Sequence, residues 1–222
     1  MTSTIAGNLD GVDQRLRQAC EHAGRPRETV TLVAVTKFQS SDSVRALAAA
    51  GVKDFAESRV QEAQTKVPGL KSLGTWHFIG HLQTNKARQA VELFDVIQSV
   101  DSLRLAGKLD EVSADLGRRL RVFAQVNCSG EAQKQGFSLE SAAHGAVELA
   151  KMPHLKLEGL MGMAPQSDPD AVRLSFRRLR QLREVLAPDL GPLLLSMGMS
   201  GDFEAAVEEG ADLVRIGSAL FP

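Results

Sequence analysis

The chain has 222 residues, 43% of them hydrophobic, a formal net charge of -1 and no tyrosine. That length supports one sizeable core, and the near-neutral charge argues against a general pull toward nucleic acid or an anionic membrane. No apolar run approaches the roughly 20 residues that span a bilayer.

The start, MTSTIAGNLDGVDQ, has no cationic segment leading into an apolar one, so no secretory leader is expected. Cys20 and Cys128 are too few for a disulfide framework and lack metal-ligand spacing. A soluble, cytoplasmic protein follows as the expectation.

Ile5, Leu9, Val12, Leu16, Ala19 and Cys20 recur at helical spacing and predict a helix over 5–23, ended by Gly24 and Pro26. Val30 to Val35 is an unbroken apolar or β-branched run, which suits a strand buried on both faces over 30–36. Ser40, Ser41 or Asp42 can cap a helix to Ala50, closed by Gly51. A strand at 52–56 and a helix at 58–67 follow, with Pro68 and Gly69 as the stop.

TWHFI at 75–79 reads as the third strand, followed by a helix over 84–93. VIQSV at 96–100 is the fourth, and Asp101 or Ser102 caps a helix to 116. LRVFAQVN at 120–127 is the fifth strand, leading through the polar loop CSGEAQKQGF to a helix at 139–151. LKLEGLM at 155–161 is the sixth; a turn-rich loop at 165–170 leads to a long helix over 170–186, before Pro188. A seventh strand at 193–196, a short helix at 203–209 ended by Gly210 and an eighth strand at 213–216 complete the order.

Strict alternation of strands and helices argues for a parallel sheet, and eight units argue for a closed (β/α)8 TIM barrel. No composition shift marks a boundary, so one domain over 1–222 is expected. A doubly wound open sheet is the alternative, but it usually needs fewer strands.

In such barrels the site lies at the C-terminal ends of the strands. Lys37 sits there on the first strand, and closure would make the eighth strand its neighbour. Alone, a lysine at that point reads as a charge that ends a strand. Held at an apolar mouth it would be desolvated, which favours the neutral, nucleophilic amine.

SMGMSGD at 196–202 and RIGS at 215–218 follow the seventh and eighth strands, where many barrels hold a phosphate. Gly198, Gly201 and Gly217 would let backbone N–H groups approach an anion, and Ser200 and Ser218 add hydroxyl donors. Each cluster alone is ordinary turn chemistry. Together, opposite a lysine, they suggest a ligand with an aldehyde and a phosphate: pyridoxal 5'-phosphate (PLP), or the substrate of a Schiff-base phosphosugar aldolase. Arg215 leans toward PLP, since a guanidinium beside the pyridine nitrogen donates to it and opposes its protonation.

The segments VAVTK, FAESRVQE, WHFIGHLQTNK, EGLMGM and SMGMSGDFEAAVEEGADLVRIGSALF resemble the pyridoxal phosphate homeostasis protein family, in order across nearly the whole chain. The resemblance implies a single-domain barrel of the alanine racemase N-terminal type, preceded by an extra helix, that binds PLP. It implies an internal aldimine at Lys37, phosphate contacts from Ser200, Gly217 and Ser218, and Arg215 near the pyridine nitrogen. Members are regarded as regulators of intracellular PLP (vitamin B6) supply without established turnover, which implies no catalytic residues, with apo PLP-dependent enzymes as candidate partners; the lack of a racemase-like dimerisation domain makes a monomer the expectation. The family more often has glycine and asparagine where Ala56 and Ser58 stand, and threonine at Ser218.

Other features read more plainly. His77 and His81 need not share a face, so a metal site is not expected, though His77 would line the pocket mouth. Gly198 to Asp202 fails the G-x-S-x-G nucleophile elbow at position 202. Arg173, Arg177, Arg178, Arg180 and Arg183 fit a solvated barrel helix. Met161, Met163, Met197 and Met199 fit core packing or gap-filling beside a ligand. A PLP-dependent racemase is the rival function, but the tyrosine base such racemases use is missing from this chain.

Overall fold

Strands that are apolar on both faces need helices on both sides or closure into a barrel, and closure also removes the sheet edges. In the computed structural model, residues 4–131, 133–165 and 168–221 are described; positions 166 and 167 of the expected 165–170 loop lie outside them, as does position 132 of the polar loop. Among these residues the strands are β1 (Thr31–Val35), β2 (Asp54–Glu57), β3 (Thr75–Phe78), β4 (Val96–Val100), β5 (Leu120–Val126), β6 (Leu155–Gly162), β7 (Leu194–Met199) and β8 (Leu213–Ile216). They pair in parallel in sequence order, and β8 returns to β1 through Thr31↔Leu213, Leu32↔Val214, Val33↔Arg215 and Ala34↔Ile216. The expected TIM barrel is the observed one.

Helices α2 (Ser41–Ala49), α3 (Val60–Lys66), α4 (Ala87–Leu93), α5 (Leu103–Asp115), α6 (Leu139–Ala150), α7 (Pro169–Leu190) and α8 (Phe203–Glu208) follow β1 to β7 in turn. Helix α1 (Ile5–His22) precedes them all and packs between α8 and α2. It therefore closes the outer ring at the position that follows β8, where no helix lies among the described residues. Val12, Leu16, Ala19 and Cys20 supply its buried face. Arg15 secures it to α8, pairing with Glu204 at 2.5 Å and lying 4.5 Å over the Phe203 ring.

Apolar packing falls into two layers. Between strands and helices, Phe55, Trp76, Phe78, Phe94 and Phe176 are fully buried. Inside the barrel a smaller cluster of Val33, Val35, Ala56, Val96, Phe123, Met161 and Leu213 shares the space with buried polar side chains. No helix among the described residues is long and apolar enough to cross a membrane.

Some boundaries differ from the sequence expectation. The α-helix α3 ends at Lys66, just before Pro68 and Gly69 as expected, but a 3₁₀ run, Val67–Leu73, carries the chain on through them. The proline occupies the first turn of that run, where its missing N–H has no helical partner to lose. Pro188 likewise sits inside α7, whose end comes at Gly191 with φ 73. There the Gly191 N–H closes on Ala187 O at 3.0 Å, so the proline falls within the final turn. β7 runs to Met199 rather than stopping at 196.

The basic face of α7 is paired. Arg173 meets Glu208 at 2.5 Å, Arg177 and Arg180 meet Glu209 at 3.0 and 3.2 Å, and Arg183 meets Asp212 at 3.1 Å. These contacts dock α7 onto α8 and account for four of the arginines as fold contacts.

Two glycines make opposite predictions. A Cβ at Gly80 would lie 1.9 Å from Ser58 O, whereas one at Gly11, within α1, meets nothing within 4 Å. Gly80→Ala is expected to destabilise the protein by at least about 2 kcal/mol in urea unfolding. Gly11→Ala should stabilise it by about 0.5–1 kcal/mol, since alanine is the better residue inside a helix.

Candidate functional site

The loops after β1, β7 and β8 meet over one cavity of about 580 Å³ at the C-terminal end of the barrel. Lys37, Ser200, Gly201, Asp202, Arg215, Gly217 and Ser218 line it, together with Ser58 and an apolar wall of Val35, Ile79, Met163, Pro165, Val172 and Met199. All five residues singled out in the sequence, Lys37, Ser200, Arg215, Gly217 and Ser218, are thus on one cavity. Met163 and Met199 face it, whereas Met161 packs inside the barrel and Met197 in the outer core.

Lys37 is exposed at the rim. The strand ends at Val35 and the side chain emerges above the last closed layer, which is the plain reading of a lysine that ends a strand. Its backbone, by contrast, is held firmly. Thr36 is fully buried, its N–H donates to Ala56 O at 2.9 Å and its hydroxyl to Glu57 Oε1 at 2.7 Å. Lys66, from α3, donates to both Thr36 O and Glu57 Oε1 at 2.8 Å. A buried ion pair therefore clamps the peptide that carries Lys37. Phe38 next to it has φ 65, a left-handed conformation rare for a bulky residue, and its ring stacks 5.1 Å from the Arg59 guanidinium.

The Ser200 hydroxyl accepts from Gly217 N–H at 3.2 Å and Ala219 N–H at 3.3 Å. A serine oxygen has two lone pairs and one hydrogen. With both lone pairs engaged, its O–H is left to donate, as an anion requires. The Gly217 N–H, expected to point at a ligand, is instead engaged by that serine. The space beside the glycines is nevertheless open: a Cβ on Gly201 would meet nothing within 4 Å, and one on Gly217 would approach Val35 Cβ at 3.4 Å. Gly198 serves the turn rather than the cavity, with φ 90 and a Cβ position 2.6 Å from Ala206 Cβ.

Arg215 is 3% exposed, and desolvation lowers its pKa to about 10. It donates to Ser196 Oγ at 2.7 Å and to Gly162 O at 2.8 Å. Asp202 caps the β7 loop by accepting from Met199 N–H at 2.5 Å, and burial raises its pKa. His77 does not line the mouth as expected. It is buried one layer deeper, between Asp54 and Gln98. His81 turns away toward Asp101 at 3.4 Å.

Sequence reasoning did not single out Lys66, Glu57 or Asp202. Nothing in local spacing links Glu57 to Lys66. Asp202 was visible only as part of a glycine-rich loop. A separate basic cavity at the opposite end of the barrel is explained by the fold: Lys71 and Arg118 there donate to carbonyls at the end of α4, Leu93 O and Phe94 O.

The alanine racemase N-terminal domain model matches residues 7–222. A pyridoxal phosphate homeostasis protein of Pseudomonas aeruginosa is 45% identical over 221 residues, covering 99% of this chain and 95% of the relative. One from Aquifex aeolicus is 38% identical over 217 residues, covering 96% and 95%. Among solved structures, PipY of Synechococcus elongatus with PLP bound superposes at a TM-score of 0.85 with 35% identity, covering 99% of this chain and 100% of that one. An alanine racemase of Clostridium difficile shares the fold at a TM-score of 0.74 and 16% identity, over 93% of this chain and 56% of that one.

Two predictions follow from the site's charges. Lys66→Met leaves Glu57 buried and uncompensated and should cost about 3 kcal/mol in urea unfolding, with Glu57→Gln in the same chain recovering most of it. For Asp202, a folded-state pKa above the unfolded one means the fold favours its protonated form. That contribution is full below the unfolded pKa and is lost as pH rises through the folded one. Asp202→Asn keeps the acceptor for Met199 N–H, so its Tm should exceed the parent's near pH 7 and converge with it toward about pH 3.

Proposed function

The chain belongs to the pyridoxal phosphate homeostasis proteins of the alanine racemase N-terminal-domain family, and on that premise we propose that it binds PLP and serves intracellular PLP homeostasis as a carrier or regulator, without catalytic turnover of its own. The observation that supports this reading is the meeting of Lys37, Ser200, Ser218 and Arg215 on one cavity whose remaining wall is apolar. These residues fit the group: the cavity offers an amine, hydroxyl donors beside open glycine backbone, and a buried guanidinium.

When bound, PLP supplies an aldehyde that can join a primary amine and a pyridine ring that can accept electron density. Lys37 is the amine we assign to the aldehyde carbon. Its clamped backbone fixes where that amine emerges, while its exposure leaves it reachable from solvent. Ser200 directs its free O–H at the phosphate, and Ser218, exposed beside it, adds a second donor; Gly217 allows the phosphate close to the backbone. Arg215, a permanent donor, is the group we assign to the ring nitrogen, where it would disfavour a proton and so weaken the ring's electron withdrawal.

The carrier reading also draws on what surrounds the cavity. The chain holds no tyrosine. His77 has both ring nitrogens engaged and does not line the cavity, so it is not placed to act as a base there. We place the protein in a reducing cytoplasm, as Cys20 and Cys128 are free and buried, and treat the chain as one monomeric domain with apo PLP-dependent enzymes as its recipients.

Purified protein should be yellow, and borohydride reduction should fix a phosphopyridoxyl group on Lys37, located by peptide mass spectrometry. A colourless protein that added PLP cannot reconstitute overturns the binding reading. Retention of the same absorbance band in Lys37→Ala overturns the assignment of the amine. Ser200→Ala combined with Ser218→Ala should weaken PLP affinity by roughly tenfold or more, as two hydrogen bonds to a charged group are lost.

A further inference from the structure

Five polar side chains cross the barrel interior in single file. Arg215 Nη1 donates to Ser196 Oγ at 2.7 Å, and Ser196 Oγ donates to Gln98 Oε1 at 2.6 Å. Gln98 Nε2 meets His77 Nδ1 at 2.9 Å, and His77 Nε2 meets Asp54 Oδ1 at 3.0 Å. Ser196 and Gln98 are fully buried and Arg215 and His77 are 3% exposed. Only Asp54 opens to water, with 25% of its side chain exposed, in a cleft beside α1 at the end of the barrel away from the cavity.

The two ends, with the Gln98 oxygen turned toward Ser196, set the direction of the bonds between them. A guanidinium only donates and a carboxylate only accepts. Ser196 accepts from Arg215 and gives its hydrogen to the Gln98 oxygen. The Gln98 oxygen is then used, so its amide N–H₂ faces His77, whose Nδ1 must be bare. The imidazole proton sits on Nε2 and points at Asp54. Turning the Gln98 amide over would leave the Ser196 hydrogen without its acceptor and would require a second proton on His77, in a dry interior where an unmade hydrogen bond is most costly. The second arm of Arg215 is held by Gly162 O at 2.8 Å.

Resting on the reading that Arg215 faces the ring of bound PLP, we propose that Ser196, Gln98, His77 and Asp54 are positioning residues that hold the Arg215 guanidinium in one orientation toward the cavity, with His77 locked as the Nε2–H tautomer. The carboxylate that acts on that cation through space is Asp202, on the same cavity. Among the described residues no carboxylate is hydrogen-bonded to Arg215, and the array runs from it to Asp54 through neutral groups. Every dipole along it is aligned the same way.

The array can be read in the unliganded protein. Long-range proton–nitrogen NMR should show His77 with a bare Nδ1 and a protonated Nε2, and the Arg215 Nη protons should be resolved individually. In Gln98→Leu those Nη signals should merge as the guanidinium turns freely. The opposite tautomer, or Arg215 signals unchanged in Gln98→Leu, overturns the proposal whether or not the protein takes up PLP.

In the PLP-loaded protein, His77→Phe and Gln98→Leu should still be fixed at Lys37 by borohydride but should bind PLP roughly tenfold more weakly, with a displaced absorbance band. His77→Gln, whose amide supplies one acceptor and one donor, should restore both. Asp54→Ala, at the solvent end, should move the band in the same direction if the interior variants fold poorly. An unmoved band and affinity in Asp54→Ala, or a His77→Gln no better than His77→Phe, sinks the idea. Failure of the parent to bind PLP would overturn the function above, while the NMR result still decides the array.

Discussion

The pairing of β8 with β1 is the constraint from which the site follows. Four residue pairs, from Thr31↔Leu213 to Ala34↔Ile216, join segments near opposite ends of the described chain. The entropy of closing so long a loop grows only logarithmically with its length, so the pairing needs no unusual strength. It does need cover, which α1 provides by packing between α8 and α2. Closure puts the β8 loop beside Val35, two residues before Lys37, so the amine and the hydroxyl loops share a cavity that neither segment forms alone.

Two buried charge systems then serve that cavity from different layers. The Lys66–Glu57 pair lies between the strands and α3, and holds a backbone carbonyl, Thr36 O, rather than a ligand. The Arg215 array lies inside the barrel and holds a side chain. Each places charge where solvation is poor, and such groups are tolerated when their bonds are made. In both systems the polar residues stand where packing alone would have favoured apolar ones. The departure falls beneath the mouth, while the outer core keeps its aromatic packing throughout.

The sequence made the alternation of strands and helices legible because doubly buried strands are continuous apolar runs bounded by glycine and proline. It misled at Pro188, since composition does not tell a proline in the last turn of a helix from a break. Lys37, Ser200, Arg215, Gly217 and Ser218 were readable once closure was assumed, because loop positions after strands are fixed by the fold class. Lys66 and Glu57 were not, since their meeting depends on how α3 sits on β2. The interior array left one trace: Gln98 and Ser99 interrupt an otherwise apolar VIQSV, and Gln98 has an array to join. The exposure of Lys37 was one of two readings the sequence left open, because it depends on what stands above the last strand residue.

That exposure bears on the proposed role. A catalytic amine is usually enclosed, so that water is excluded and proton transfers stay within the site. Here the amine stands at the rim on a clamped backbone, while the donors we assign to the phosphate lie across the cavity on the loops after β7 and β8. Capture and release at the aldehyde end can then proceed through solvent, with the phosphate end setting how long the ligand stays. A guanidinium that disfavours ring protonation reduces the ring's power to activate a bound amino acid, and no tyrosine stands opposite to move its proton. Firm orientation, an open amine and a weakened electron sink suit holding and handing over the cofactor better than using it.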